Sequence, residues 1–215
     1  MKTNRLLPVL VFALAGSCFA QVSSSAHQSK LPSIDSTHNS ISAAAALRSA
    51  AEPGVAISEA LDFWVRNTEK EVVSAAQAMP ERKYGFAPTM GEFSGVRTFA
   101  QQLKHLAANN YRMAARILGQ PATPDQEAEI GPDTVRSKAE IVDYVKGSFD
   151  ALHRSVATIT IENAATPVFQ PRIGSGQQNT RVQFAVDAVA HSYDHYGQIV
   201  EYLRMNGIVP PSSRR

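Results

Sequence analysis

The sequence predicts an all-α protein built as an antiparallel four-helix bundle. Three observations carry this. Four long segments repeat apolar residues at helical spacing. Capping patterns, glycines and prolines punctuate them, and convincing strand alternation is absent. Ala157–Glu162 is the one stretch with notable β-propensity.

The first segment runs from about Ser58 to Met79, with Leu61, Trp64, Val65, Val72, Ala75, Ala76 and Met79 near one stripe, and Pro80 ends it. The second runs from about Ser94 to Leu118, with Val96, Phe99, Leu103, Leu106, Ala114 and Ile117 in register and Gly119 as the stop. Ser137-Lys-Ala-Glu140 is a capping-box pattern that opens the third, which continues through Ile141, Val145, Phe149, Leu152, Val156 and Ile159. The fourth starts near Thr180-Arg-Val-Gln183 and carries Val182, Val186, Val189, Tyr193, Tyr196, Val200 and Leu203. Gly207 and Pro210-Pro211 close it. The connections contain Pro121, Pro124 and Pro132, then Pro167, Pro171, Gly174 and Gly176.

The N-terminus reads as an export signal. Lys2 and Arg5 precede an apolar run from Leu6 to Ala15 and the small-residue segment Gly16-Ser-Cys-Phe-Ala20, a span too short to anchor a helix in a membrane. Cleavage is expected after Ala20, giving a periplasmic or secreted protein. The competing reading, a lipoprotein attached through Cys18, suffers from an out-of-register Leu14-Ala-Gly-Ser-Cys18 box. Cleavage removes two cationic residues and no acidic ones, so the formal charge of +2 falls to zero and nothing points to a nucleic-acid partner. It also removes the single cysteine, so any metal must be held by imidazole and oxygen. Residues 21–50, rich in Ser, Ala, His and Gln, read as a flexible leader with frayed helix around Ala43–Ala51. The domain is expected over 51–215, with no internal repeat and no second hydrophobic span.

The fourth segment contains His191-Ser-Tyr-Asp-His195, two histidines one helical turn apart. Side chains at i and i+4 share a face, so the pair offers two nitrogen ligands to one metal ion. His105 on the second segment is a candidate third ligand, while His27, His38 and His153 read as ordinary surface or core residues. At about 100° per residue, the apolar stripe of the fourth segment centres on Val182, Val189, Tyr193 and Val200. His191 and His195 then fall on nearly the opposite face, with Phe184, Gln198 and Tyr202. His105 likewise lies away from the Val96–Phe99–Leu103 stripe, beside Gln102, Asn109 and Arg112. Three neutral imidazoles can hold zinc, nickel or another borderline divalent ion and leave a coordination position open. Asn109 and Gln198 are the candidates to flank the ligands, whereas Asp194 points about 100° away from its neighbours in sequence, His195 among them.

Met79-Pro-Glu-Arg-Lys-Tyr-Gly-Phe-Ala-Pro-Thr89, with Val96-Arg-Thr-Phe-Ala-Gln-Gln-Leu-Lys-His105-Leu-Ala, resembles the first half of a DinB-like domain. His191-Ser-Tyr-Asp-His195-Tyr-Gly-Gln-Ile-Val-Glu-Tyr-Leu-Arg-Met-Asn-Gly-Ile-Val-Pro-Pro211 resembles that family's last helix and tail. The resemblance covers roughly residues 55 to 211 and implies a DinB-like four-helix bundle, often dimeric, binding one divalent metal. His105, His191 and His195 take the ligand roles by this resemblance. Some relatives conjugate or isomerise substrates using low-molecular-weight thiols activated by the metal. An export signal separates this chain from the cytoplasmic thiols. Tyr84, Pro88 and Thr89 read as a structured connecting turn rather than as catalytic groups. The resulting expectation is a homodimeric metal-dependent transferase or hydrolase acting on a small molecule. The alternative is a non-catalytic exported metal-binding or interaction module.

Overall fold

A computed structural model describes residues 54–92, 94–168 and 179–214. The expected signal peptide and leader lie outside the described residues, as do Pro171, Gly174 and Gly176. The described chain is predominantly helical. Its four long helices are α1 (Ile57–Ala78), α2 (Phe99–Ile117), α3 (Lys138–Val156) and α4 (Arg181–Met205).

Helix α1 buries Val65, Thr68, Val72, Ala75 and Ala76, a stripe with the three- and four-residue spacing of one helix face. Trp64 was expected on this stripe but is 53% exposed, meeting Phe63 edge-on with ring centroids 5.4 Å apart. It precedes Val65 by one residue and therefore points about 100° away from the buried direction. The helix stops where Met79 turns extended before Pro80, because the proline ring disfavours helical backbone in the residue before it. Lys138 Nζ donates to the Gln77 and Met79 carbonyls at 2.7 and 2.8 Å, satisfying acceptors that the helix end leaves open.

A short 3-10 turn, Glu81–Lys83, leads into α2. The backbone N–H groups of Phe99 and Ala100 donate to the Phe86 and Tyr84 carbonyls, and Thr98 forms a capping box with Gln101. These bonds start α2 five residues later than the apolar periodicity suggests. The buried Tyr84 hydroxyl donates to the Ala76 carbonyl at 2.7 Å, so this residue ties the turn back to α1. Burial pushes its pKa up. After α2 the chain makes one helical turn at Pro124–Glu127 and passes Gly131 on its way to α3.

The expected capping box of Ser137 with Glu140 opens α3, and Thr180, where the fourth helix is expected to start, forms another with Gln183. Ala157–Glu162 is not a strand. The N–H groups of Ala157, Thr158 and Ile159 bond back to His153, Ser155 and Val156, and the Asn163 side chain bonds both Thr160 N–H and the Thr158 carbonyl. These local bonds take the backbone groups that a strand would have to pair elsewhere. The only strands among the described residues are Pro167–Val168 and Asn179–Thr180, paired antiparallel with Pro167 opposite Thr180.

In the principal packing, α1 and α2 each contact both α3 and α4. Phe99, Leu103, Leu106, Phe149, Ile199 and Leu203 lie in the shared core at 1% exposure or less. No helix of the described residues is long and apolar enough to cross a membrane.

Candidate metal centre

The α2–α4 contact is polar where a helical core is ordinarily apolar. Gln102, His105, Asn109 and Asn110 of α2 are buried, as are Ser192 and His195 of α4. Ser192 Oγ donates to Asn110 Oδ1 at 3.0 Å, Asn110 Nδ2 donates to Ser148 Oγ at 3.3 Å, and Ser148 Oγ donates to the Val145 carbonyl at 2.7 Å. This chain links α4 through α2 to α3. The neighbouring Ala185 and Ala188 are small enough to allow close approach of the two helices.

The rotation of α4 differs from the one read off the apolar pattern. The buried face of α4 runs through Phe184, Ala188, Ser192, His195, Ile199 and Tyr202, while Val186 is 55% exposed. His195 therefore belongs to the buried seam, whereas the apolar pattern alone places it on nearly the opposite face. His105 is buried as well, and His191 is half-buried at the edge. Helix α4 carries apolar residues nearly all round, so its periodicity supports more than one stripe. The buried one combines Phe184, Ile199, Tyr202 and Leu203 with the hydrogen-bonded Ser192.

The three rings converge through their Nε2 atoms. His191 Nε2 stands 3.2 Å from His105 Nε2 and 3.2 Å from His195 Nε2, and the three ligand atoms all lie within 4.8 Å of one another. On the far sides, His105 Nδ1 meets the Glu129 carbonyl at 2.5 Å and His195 Nδ1 meets Gln102 Oε1 at 2.7 Å. Both partners only accept, so each Nδ1 carries the ring proton and each Nε2 presents a lone pair. A proton on His191 Nε2 can serve only one of the two, and His191 Nδ1 is buried without a partner. Hydrogen bonding alone thus leaves at least one lone pair facing another nitrogen.

Burial lowers the pKa of all three, to about 4 for His191 and His195, and mutual repulsion between the rings adds to the effect on those two. The neutral imidazole is the form that ligates. In a tetrahedral set with nitrogens about 2.0–2.1 Å from zinc, neighbouring ligand atoms stand about 3.3 Å apart. The two 3.2 Å separations match that spacing. The residues fit a divalent ion.

The outer partners of the rings are mostly non-local. Gln102 Nε2 donates to Gln198 Oε1 at 2.8 Å, and Gln198 Nε2 donates to Asp194 Oδ2 at 3.2 Å. Gln198 thus reaches His195 through Gln102, and Asp194 ends the relay at the surface. Asn109 bonds neither ring: its Oδ1 accepts from Arg112 Nη2 at 2.5 Å. Glu129 was not singled out from the sequence. Its carbonyl arrives on the loop before Gly131, whose φ of +66° suits glycine. A Cβ there would stand 3.1 Å from the Lys104 carbonyl, so glycine lets this loop run close against α2. Arg97 forms an ion pair with the Glu129 carboxylate, and its carbonyl accepts from the Tyr202 hydroxyl at 2.9 Å.

Fold and site together define a helical protein with three convergent, neutral imidazoles shared between two long helices. The chain belongs to the DinB superfamily, whose family model matches residues 65–199, from α1 into α4 and including all three histidines. No curated protein matches it.

Proposed function

We propose that this chain is an exported, homodimeric metal-dependent enzyme of the DinB superfamily, a transferase or hydrolase acting on a small molecule. Its four long helices are read as an antiparallel bundle. His105, His191 and His195 would hold a single zinc or nickel ion. The observation that carries this reading is the convergence of three Nε2 atoms whose lone pairs no arrangement of ring protons satisfies.

The donor set supports an open site. Among the described residues the cluster contains three histidines and no carboxylate, so the protein supplies three ligand atoms and leaves room for another group. Bound there, a divalent ion supplies Lewis acidity and lowers the pKa of a water or thiol beside it. The chain's own part is to hold the rings. Glu129 and Gln102 fix the ring tautomers, the low pKa values keep the imidazoles unprotonated at neutral pH, and the half-buried edge of His191 leaves an approach from solvent.

The test is metal content of protein purified from its native compartment, measured alongside His191→Ala. The expected result is one equivalent of metal per chain in the natural protein and its loss in the variant, with helical circular dichroism retained. Natural protein without stoichiometric metal, or a folded His191→Ala protein that keeps it, overturns the reading.

A further inference from the structure

Beside the three histidines, two nitrogen donors are buried without partners: Asn109 Nδ2 and Arg112 Nε. Asn109 is 3% exposed, and the Arg112 Nη2 bond to its Oδ1 fixes which end of the amide is the donor. Residues 105, 109 and 112 follow the four- and three-residue spacing of one helix face, so both donors stand on the side of α2 that carries His105. Arg112 Nη2 reaches the Asn109 side chain, one turn from His105, so the guanidinium lies along the same helix face.

Arg97 has Glu129 as its partner, but no carboxylate among the described residues pairs with Arg112. Arg116, one turn further along α2, lies over the Phe184 ring at 5.7 Å and has Glu127 and Asp187 to offset its repulsion with Arg112. Three neutral imidazoles cancel none of the charge on Arg112, and a divalent ion would add to it. A half-buried guanidinium with a free Nε–H beside an unpartnered amide N–H calls for an acceptor with negative charge.

We propose that Asn109 and Arg112 form an anion-recognising wall of the histidine site, and that the substrate presents a carboxylate to it. The assignment of this carboxylate to a substrate rests on the metal-enzyme reading above. Two donors on adjacent side chains, one charged, suit the two oxygens of a carboxylate.

The Nε–H of Arg112 is shielded from water and should give an observable signal in 15N-resolved NMR of the full chain, assigned by its disappearance in Arg112→Lys. Acetate, acetamide and inorganic phosphate are titrated into metal-free and zinc-loaded protein. Acetate is expected to shift the signal while acetamide does not, to saturate at a concentration at least tenfold lower in the zinc-loaded form, and to weaken severalfold in Asn109→Ala. An Arg112 signal indifferent to acetate in both forms overturns the proposal, and phosphate binding more tightly than acetate overturns the carboxylate assignment. A chain that takes up no zinc, yet whose Arg112 signal answers to acetate, sinks the metal reading and leaves the anion wall standing.

Discussion

Nδ1 of His195 donates its proton to Oε1 of Gln102 across 2.7 Å, so a side chain on α2 orients a ring on α4. Gln102 is itself held by Gln198 from the other side. The amide can accept with its oxygen and donate with its nitrogen at once, which an aliphatic side chain cannot do.

Replacing Gln102 with alanine should therefore weaken metal binding by about 10–100-fold, the usual effect of losing a partner behind a ligating histidine. Gln102→Glu keeps the acceptor facing Nδ1 and should retain most of the affinity. Competition against a chelator of known strength measures both. Unchanged affinity in a folded Gln102→Ala protein would show that the ring is held by packing alone.

The pKa values of His191 and His195, lowered to about 4 from 6.5, make the metal-free fold sensitive to acid. An unfolded chain takes up protons on these rings before the folded one does. Their contribution is complete above pH 6.5 and is lost as the pH falls toward 4, with a slope of at most roughly 1.4 kcal/mol per pH unit for each proton. Thermal unfolding of metal-free protein should show a steep fall in midpoint over that window, and a His191→Gln, His195→Gln double variant should flatten it. Parallel profiles for the two proteins would refute the assignment.

His153 of α3 carries the opposite dependence. Burial works to lower its pKa, but hydrogen bonds to Asp62 and Glu69 of α1 outweigh it and the net shift is upward. A raised folded value stabilises the protein fully below pH 6.5 and loses that contribution as the pH rises through the folded pKa. All three side chains are partly exposed, so about 1 kcal/mol is the expected scale. Denaturant unfolding of His153→Gln should show its deficit at pH 5.5 and little by pH 8.5. A deficit independent of pH would mean that the ring contributes by packing only.

What the sequence determined by itself is what a few neighbouring residues can settle. Ser137 with Glu140 and Thr180 with Gln183 bond backbone groups within their own turn, so α3 and α4 begin where the pattern says. Proline at 80 and glycine at 207, with φ of +73°, end α1 and α4 for equally local reasons. The pairing of His191 with His195 is of the same kind, since the pitch of a helix dictates it.

Tertiary structure decided the rest. Which face of α4 is buried depends on what the other helices present to it, Asn110 bonding Ser192 from 82 positions away included, and apolar periodicity cannot see such partners. The ring partners are non-local for the same reason: Glu129 comes from a loop 24 positions beyond His105, and Gln102 lies 93 before His195. A buried polar group must find its partner wherever the fold brings one. The ligand types could therefore be read along the chain, while the atoms that orient them emerged only once α2 and α4 had packed.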